Sequence, residues 1–250
     1  MSYLQDLRSN WNEFGLTDPL WAIATDPEKK GNKWELDEFF DRGVREIDAL
    51  MDHLESRHIS IPKGRALDFG CGVGRLTQAL ARLFNVVDGV DIAPSMIELA
   101  NKYNRYGDRC RYYVSDADLS LFEDGAFDFI YTSFVLQHIK PVYSKSYIKE
   151  FLRVLAPNGV LVFLLANEPN TRGGGLLAAA HLRIVQLGCG MYRTVRAGPI
   201  MEFHMIKRRT IEALLQDNGA KAIDIEEIIK TKHFHIVQYC VAKPPHSYNH

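Results

Sequence analysis

The chain has 250 residues, 46% hydrophobic and 24% charged, proportions that exclude fibrous and intrinsically disordered classes. Thirty Lys and Arg against 31 Asp and Glu leave a formal charge of -1. That balance argues against a dedicated nucleic-acid binder, which carries a strong basic excess. The length allows one large α/β domain or two small ones, either with a sizeable core.

Cys71, Cys110, Cys189 and Cys240 are dispersed and form no CxxC pair, so a zinc ribbon or a thioredoxin-type pair is not expected. Such thiols fit a reducing compartment, where they pack as small apolar side chains. The opening residues, Met1 to Asp6, lack a basic region followed by an apolar run. The most apolar stretch, Gly175 to Met191, is interrupted by His181, Arg183 and Gln186 and does not suit a bilayer span. The expectation is a soluble, cytoplasmic protein.

Along the chain, Trp11, Trp21 and Trp34 fall in the first sixty residues, which Asp18-Pro19 and Asp26-Pro27 break into short pieces. From Glu35 a helical pattern runs through Phe39, Phe40, Val44, Ile47, Leu50, Met51 and Leu54. Pro62-Lys63-Gly64 ends it. Strands and helices then alternate: Arg65 to Phe69 (strand), Gly74 to Phe84 (helix), Val86 to Val90 (strand), and Pro94 to Tyr103, a helix with proline in its first turn. Arg111 to Val114 and Phe127 to Thr132 read as strands, Ser144 to Leu155 as a helix stopped by Pro157-Asn158-Gly159, and Val160 to Leu165 as a buried strand. The stretch 167–203 breaks this rhythm. A helix at Arg209 to Asn218 and strands at Ala222 to Ile228 and His233 to Val241 follow. Apolar runs alternating with helices imply a parallel sheet covered on both faces.

The sharpest local signal is Asp68-Phe69-Gly70-Cys71-Gly72-Val73-Gly74-Arg75, a strand running through glycines into a helix. Glycines permit a tight turn and the close approach of a ligand, and the N–H groups of the next helix can meet its electronegative part. A purely structural turn is the alternative. About twenty residues on, Asp91 ends the second strand, where a carboxylate can accept both hydroxyls of a ribose. An ordinary helix cap ahead of Pro94 is the lesser alternative. Together the two elements point to an adenosine-containing cofactor. No GKS or GKT follows the glycines, so the loop is not a P-loop. Its spelling, GxGxG with Asp68 two residues ahead, is unlike the dinucleotide pattern. No Tyr-x-x-x-Lys pair follows the fourth strand, which disfavours an NAD(P)-dependent oxidoreductase.

These residues resemble the class I S-adenosylmethionine-dependent methyltransferases. The resemblance continues through Ser115-Asp116-Ala117, Phe127 to Thr132 with Val135-Leu136-Gln137-His138-Ile139, and Leu152 to Gly159, covering roughly 62–166. It implies an α/β, Rossmann-like, seven-stranded, mostly parallel sheet with helices on both faces, S-adenosyl-L-methionine as cofactor, and methyl transfer by in-line displacement. By the same resemblance Gly70, Gly72 and Gly74 line the methionine part, Asp68 organises the loop, and Asp91 holds the ribose. Ile92 and Met96 flank the adenine, Asp116 and Ala117 contact it, and Ser133 and Phe134 border the reacting methyl. Cys71 and Arg75 suit the family, or serve as packing and a solvated helix charge.

His138 follows the fourth strand at the carboxyl edge, where open α/β sheets bind ligands, and is the candidate general base. Capping or packing beneath the loop is the other reading. The remaining histidines show no metal-ligand spacing, so no metal is expected. Residues 1–61 are expected to form an N-terminal helical cap on a core at 62–250, with 167–203 as an insertion over the acceptor site. The tryptophans would then either select the acceptor or anchor coil to the sheet. The expected acceptor is a small molecule with an O or N nucleophile, sugar or lipid-linked ones included. An RNA methyltransferase and a non-catalytic cofactor-binding protein are the alternatives. Lys207-Arg208-Arg209 reads as a helix start rather than a nucleic-acid patch, and no DNA partner is expected.

Overall fold

A computed structural model describes residues 2–115, 117–167, 198–230 and 234–243. The chain opens with helix α1 (Tyr3–Thr17), a short α2 (Pro19–Ile23) and a long α3 (Leu36–Ser56). Then come β1 (Arg65–Phe69), α4 (Arg75–Leu80), β2 (Val86–Asp91), α5 (Pro94–Tyr103), β3 (Cys110–Val114) and β4 (Phe127–Thr132). They are followed by α6 (Pro141–Val154), β5 (Leu155–Asn167), α7 (Arg208–Asp217), β6 (Lys221–Lys230) and β7 (His235–Ala242).

The seven strands form one sheet in the order β3-β2-β1-β4-β5-β7-β6. β1 to β5 run parallel, and β7 enters antiparallel between β5 and β6. Strands covered on both faces bury alternate residues into two different cores. Leu67, Phe69, Ile130 and Phe163 join Ile148 and Phe151 of α6 and Ile211 of α7 on one face. Ala66, Val87, Phe129 and Val162 meet Ile47, Leu50 and Leu54 of α3 with Leu76 and Leu80 of α4 on the other. α3 therefore covers the sheet itself, and it is α1, α2 and the loop behind them that stand over the carboxyl ends of the strands.

α1 is a helix that the proline-broken reading of the N-terminus passes over. Ser2 caps it: its hydroxyl accepts from the Gln5 N–H at 3.4 Å, while the Gln5 side chain accepts from the Ser2 N–H at 2.9 Å. α4 ends at Leu80 rather than at Phe84, because the chain tightens into three-residue turns such as Leu83 N–H to the Leu80 carbonyl. Pro157-Asn158-Gly159 does not separate helix from strand. It lies inside β5 as an irregularity in which Asn158 is left-handed, φ 62°.

Candidate functional site

A cavity of about 670 Å³ opens where β1 to β4 end, the carboxyl edge at which open α/β sheets place ligands. Gly70 follows β1, Asp91 ends β2 and Ile92 follows it, Ser115 follows β3, and Ser133 and Phe134 follow β4; all six face the cavity.

The turn after β1 is held by backbone bonds to the neighbouring strand, with Gly70 and Cys71 N–H both donating to the Val90 carbonyl at 2.8 and 3.0 Å. Gly70 has φ 73°, and a Cβ there would overlap the Val135 side chain. Gly72 has φ 53°, and a Cβ there would stand 2.5 Å from Ile23 Cδ1 of α2. Both positions therefore combine a left-handed backbone with close approach by another chain segment, which is what glycine permits. The Gly72 N–H donates to Asp91 Oδ2 at 2.9 Å, and the Ala93 N–H donates to Asp91 Oδ1 at 2.9 Å. Asp91 thus ties the glycine loop to Ala93, the residue ahead of α5, while facing the cavity; the helix-cap reading does not hold, because the cap position is Ala93 and no side chain caps that helix. Burial pushes its carboxyl above the usual range, against the amides of Ala93 and Gly72.

Asp68 lies below the loop, 1% exposed, and accepts from the Thr77 hydroxyl at 2.6 Å. Burial pushes its carboxyl up to about 7. Arg75 is also buried, paired with Glu46 of α3 at 2.9 Å and stacked over the Phe39 ring. Glu46 in turn accepts from the Ser133 hydroxyl at 2.8 Å, so the rim after β4 is braced by α3. Neither Asp68, Cys71, Gly74, Arg75 nor Ala117 reaches the cavity wall, whereas Gly70, Gly72, Asp91, Ile92, Met96, Ser133, Phe134 and His138 do. Arg75 is a buried ion-paired residue, not a solvated helix charge. Asp116 lies outside the described residues, as do His181, Cys189 and residues 168–197 of the expected insertion.

The second cluster forms around the turn Leu136–His138. His138 Nδ1 lies 2.6 Å from the Glu202 carbonyl. A carbonyl only accepts, so Nδ1 carries the proton, and the neutral ring keeps its lone pair on Nε2. Burial pushes His138 below its ordinary value, which favours that neutral form. Trp11 of α1 meets the His138 ring edge-on at 5.5 Å. The Glu202 side chain accepts from the Tyr3 hydroxyl at 3.0 Å and pairs with His204 at 2.8 Å, fastening the start of α1 to the segment that holds His138.

The N-terminal segment is a wall of the same cavity, through Leu7, Trp11, Ile23, Asp26 and Arg42. Arg42 is the only Lys or Arg among the described residues lining it. Sequence reasoning missed Arg42 because it reads as a polar position on an amphipathic helix. It missed Gln137 because a lone amide carries no spacing signal. Three cysteines, Cys71, Cys110 and Cys240, are free and buried. Among the described residues no cluster of His, Cys, Asp and Glu is arranged to hold a metal, and no helix is long and apolar enough to cross a membrane.

A family model described as a methyltransferase domain matches residues 67–163. The ubiquinone biosynthesis O-methyltransferase of Xanthomonas campestris is 29% identical over 120 residues, 47% of this chain and 49% of that protein. The 2-methyl-6-phytyl-1,4-hydroquinone methyltransferase of Synechocystis is 32% identical over 117 residues, 45% of this chain and 36% of that protein. The matched region thus spans about half the length of such relatives or less. Among solved structures, magnesium protoporphyrin IX methyltransferase from Synechocystis, with bound S-adenosylhomocysteine, superposes with a TM-score of 0.64 at 20% identity, covering 96% of this chain and 99% of that one. This last likeness is one of fold.

Proposed function

We propose that the protein is a class I S-adenosylmethionine-dependent methyltransferase that transfers a methyl group to a small-molecule acceptor, a reading supported by the methyltransferase-domain model that matches residues 67–163. The observation that carries this reading is the convergence of Asp91, the left-handed Gly70 and Gly72, and Arg42 on one cavity. The donor set fits the cofactor. A carboxylate at the end of β2 suits ribose hydroxyls. Glycines without Cβ atoms admit the chain of the methionine part, and a guanidinium suits its carboxylate.

When bound, S-adenosylmethionine supplies an electrophilic methyl on a sulfonium. The protein's part is to align the two reactants, a contribution on the order of 7–11 kcal/mol at best. His138 Nε2 takes the proton of a hydroxyl acceptor, worth typically ~10²–10⁴-fold in rate. Trp11, Ile23 and the rest of the N-terminal wall exclude water above the site. The relatives named above, a ubiquinone biosynthesis enzyme and a phytyl-hydroquinone methyltransferase, agree with a partly apolar acceptor, for which Trp11, Phe134 and Phe203 offer surface.

Calorimetric titration with S-adenosylmethionine, S-adenosylhomocysteine and NAD tests the cofactor. The first two should bind and NAD should not. Asp91→Ala removes the ribose partner and two backbone anchors, so affinity for both should fall at least ~30-fold, from a lost charge-assisted bond of about 2 kcal/mol or more. Binding of NAD alone would overturn the assignment.

A further inference from the structure

His138 can take a proton only at the ring nitrogen that carries none. One contact selects that nitrogen: Nδ1 lies 2.6 Å from the Glu202 carbonyl, which leaves Nε2 with the lone pair. The carbonyl belongs to residues 199–207, a stretch without helix or strand. No ladder holds it in line with the ring, so its direction depends on the side chains that fasten this stretch.

Those side chains converge on Glu202. Its Oε2 accepts from the Tyr3 hydroxyl at 3.0 Å and pairs with His204 Nε2 at 2.8 Å. Tyr3 is itself held from several sides: its oxygen accepts from the Lys140 N–H at 2.8 Å, its ring stacks on Tyr143 at 5.0 Å, and Lys140 Nζ stands 4.2 Å from the ring centre. A hydroxyl that donates and accepts at once has each bond strengthened by the other. Burial pushes the Tyr3 hydroxyl above its ordinary value, so it stays a donor to Glu202. On either side of Glu202, the Ile200 N–H donates to Asn10 Oδ1 of α1 at 3.0 Å, and the His204 N–H donates to the Gln137 carbonyl at 2.7 Å. Neither Tyr3 nor Glu202 lines the cavity, whereas His138 does.

We infer that Glu202 and Tyr3 are positioning residues for His138: the Glu202 carbonyl fixes the Nδ1–H tautomer, and Tyr3, through the Glu202 carboxylate, keeps that carbonyl in line, so that Nε2 is available once α1 is docked. The inference rests on the methyl-transfer reading above for the use made of Nε2. When Nε2 receives the hydroxyl proton of the acceptor, the ring becomes an imidazolium. Its Nδ1–H remains on the Glu202 carbonyl, now in a charge-assisted bond.

The test is two-bond proton–nitrogen NMR of the full chain, isotope-labelled at histidine, at about pH 8, where an ordinary imidazole is neutral. The His138 signals are those lost in His138→Ala. In the wild type the Nδ1–H form should exceed the Nε2–H form about tenfold or more, as a hydrogen bond specific to one tautomer requires. Tyr3→Phe keeps the ring on Tyr143 and removes the donor to Glu202; the excess should fall about threefold or more. Glu202→Ala should lower it likewise, and Glu202→Gln, whose amide oxygen still accepts from Tyr3, should restore it. Affinity for S-adenosylhomocysteine, titrated on the same samples, should hold within about threefold throughout, which separates a lost tautomer from a lost fold. If Glu202→Ala does not fold, Tyr3→Phe carries the test. A wild-type ring chiefly in the Nε2–H form, an excess unchanged by Tyr3→Phe, or one that Glu202→Gln fails to restore would overturn the inference. Failure of S-adenosylhomocysteine to bind the wild type would instead overturn the methyl-transfer reading and leave the tautomer result standing.

Discussion

Asp68 sits beneath the glycine loop, 1% exposed, with the Thr77 hydroxyl donating to it and Arg75 engaged elsewhere by Glu46. Burial pushes its carboxyl up to about 7, whereas in the unfolded chain it titrates near ~3.9. The folded protein therefore holds a proton that the unfolded chain releases, and stability falls as pH rises through the interval between those values. Asp68→Asn keeps an acceptor for Thr77 and has no charge to desolvate. Integrated between about pH 5 and pH 8, the wild type should lose roughly 2–3 kcal/mol relative to the variant. For a chain of this size that is a melting difference on the order of 5–10 °C opening in favour of the variant. Thermal melts of both proteins at half-unit pH steps, without cofactor, read this directly. A difference that stays flat, or that turns against the variant as pH rises, would refute the idea that Asp68 is held against desolvation.

Gly72→Ala places a methyl 2.5 Å from Ile23 Cδ1 on a backbone at φ 53°; it should cost about 1–3 kcal/mol of stability and most of the cofactor affinity, measured by melts and calorimetry. Unchanged affinity would mean that α2 does not bear on the loop. His138→Ala should lower turnover ~10²-fold or more for a hydroxyl acceptor while cofactor affinity stays within about threefold. A turnover that survives intact would leave His138 as a packing residue against Trp11.

The Rossmann-like alternation was legible because its elements are local. Val160 to Leu165 is an apolar run of strand length, and Pro94 stands where a helix can begin. The glycine loop and Asp91 were legible for a similar reason, since a tight turn and a strand-end carboxylate leave marks within a few residues. α1 was hidden by the prolines that follow it, although Ser2 and Gln5 have the spacing of a capping box. Arg42 and Gln137 had no such mark. Their place at the cavity comes from long-range packing, α3 crossing to it and the turn after β4 reaching its wall, and no pattern along the chain encodes either. The burial of Arg75 was hidden likewise, because its partner Glu46 lies on another helix.

The position of β7 bears on how the molecule comes into being. β5 ends at Asn167, yet the strand that covers its flank, β7, begins only at His235 and also supplies the inner neighbour of β6. A polypeptide emerging from the ribosome therefore carries the whole cofactor-facing half of the sheet while one margin of its central, largely apolar strand still lacks a hydrogen-bonded companion. Until the residues to Ala242 are free, that margin is a template for any extended segment nearby. Cooperative closure of the fold is thus deferred to the latest described strand, and the burden on chaperones falls in the interval between synthesis of β5 and release of β7.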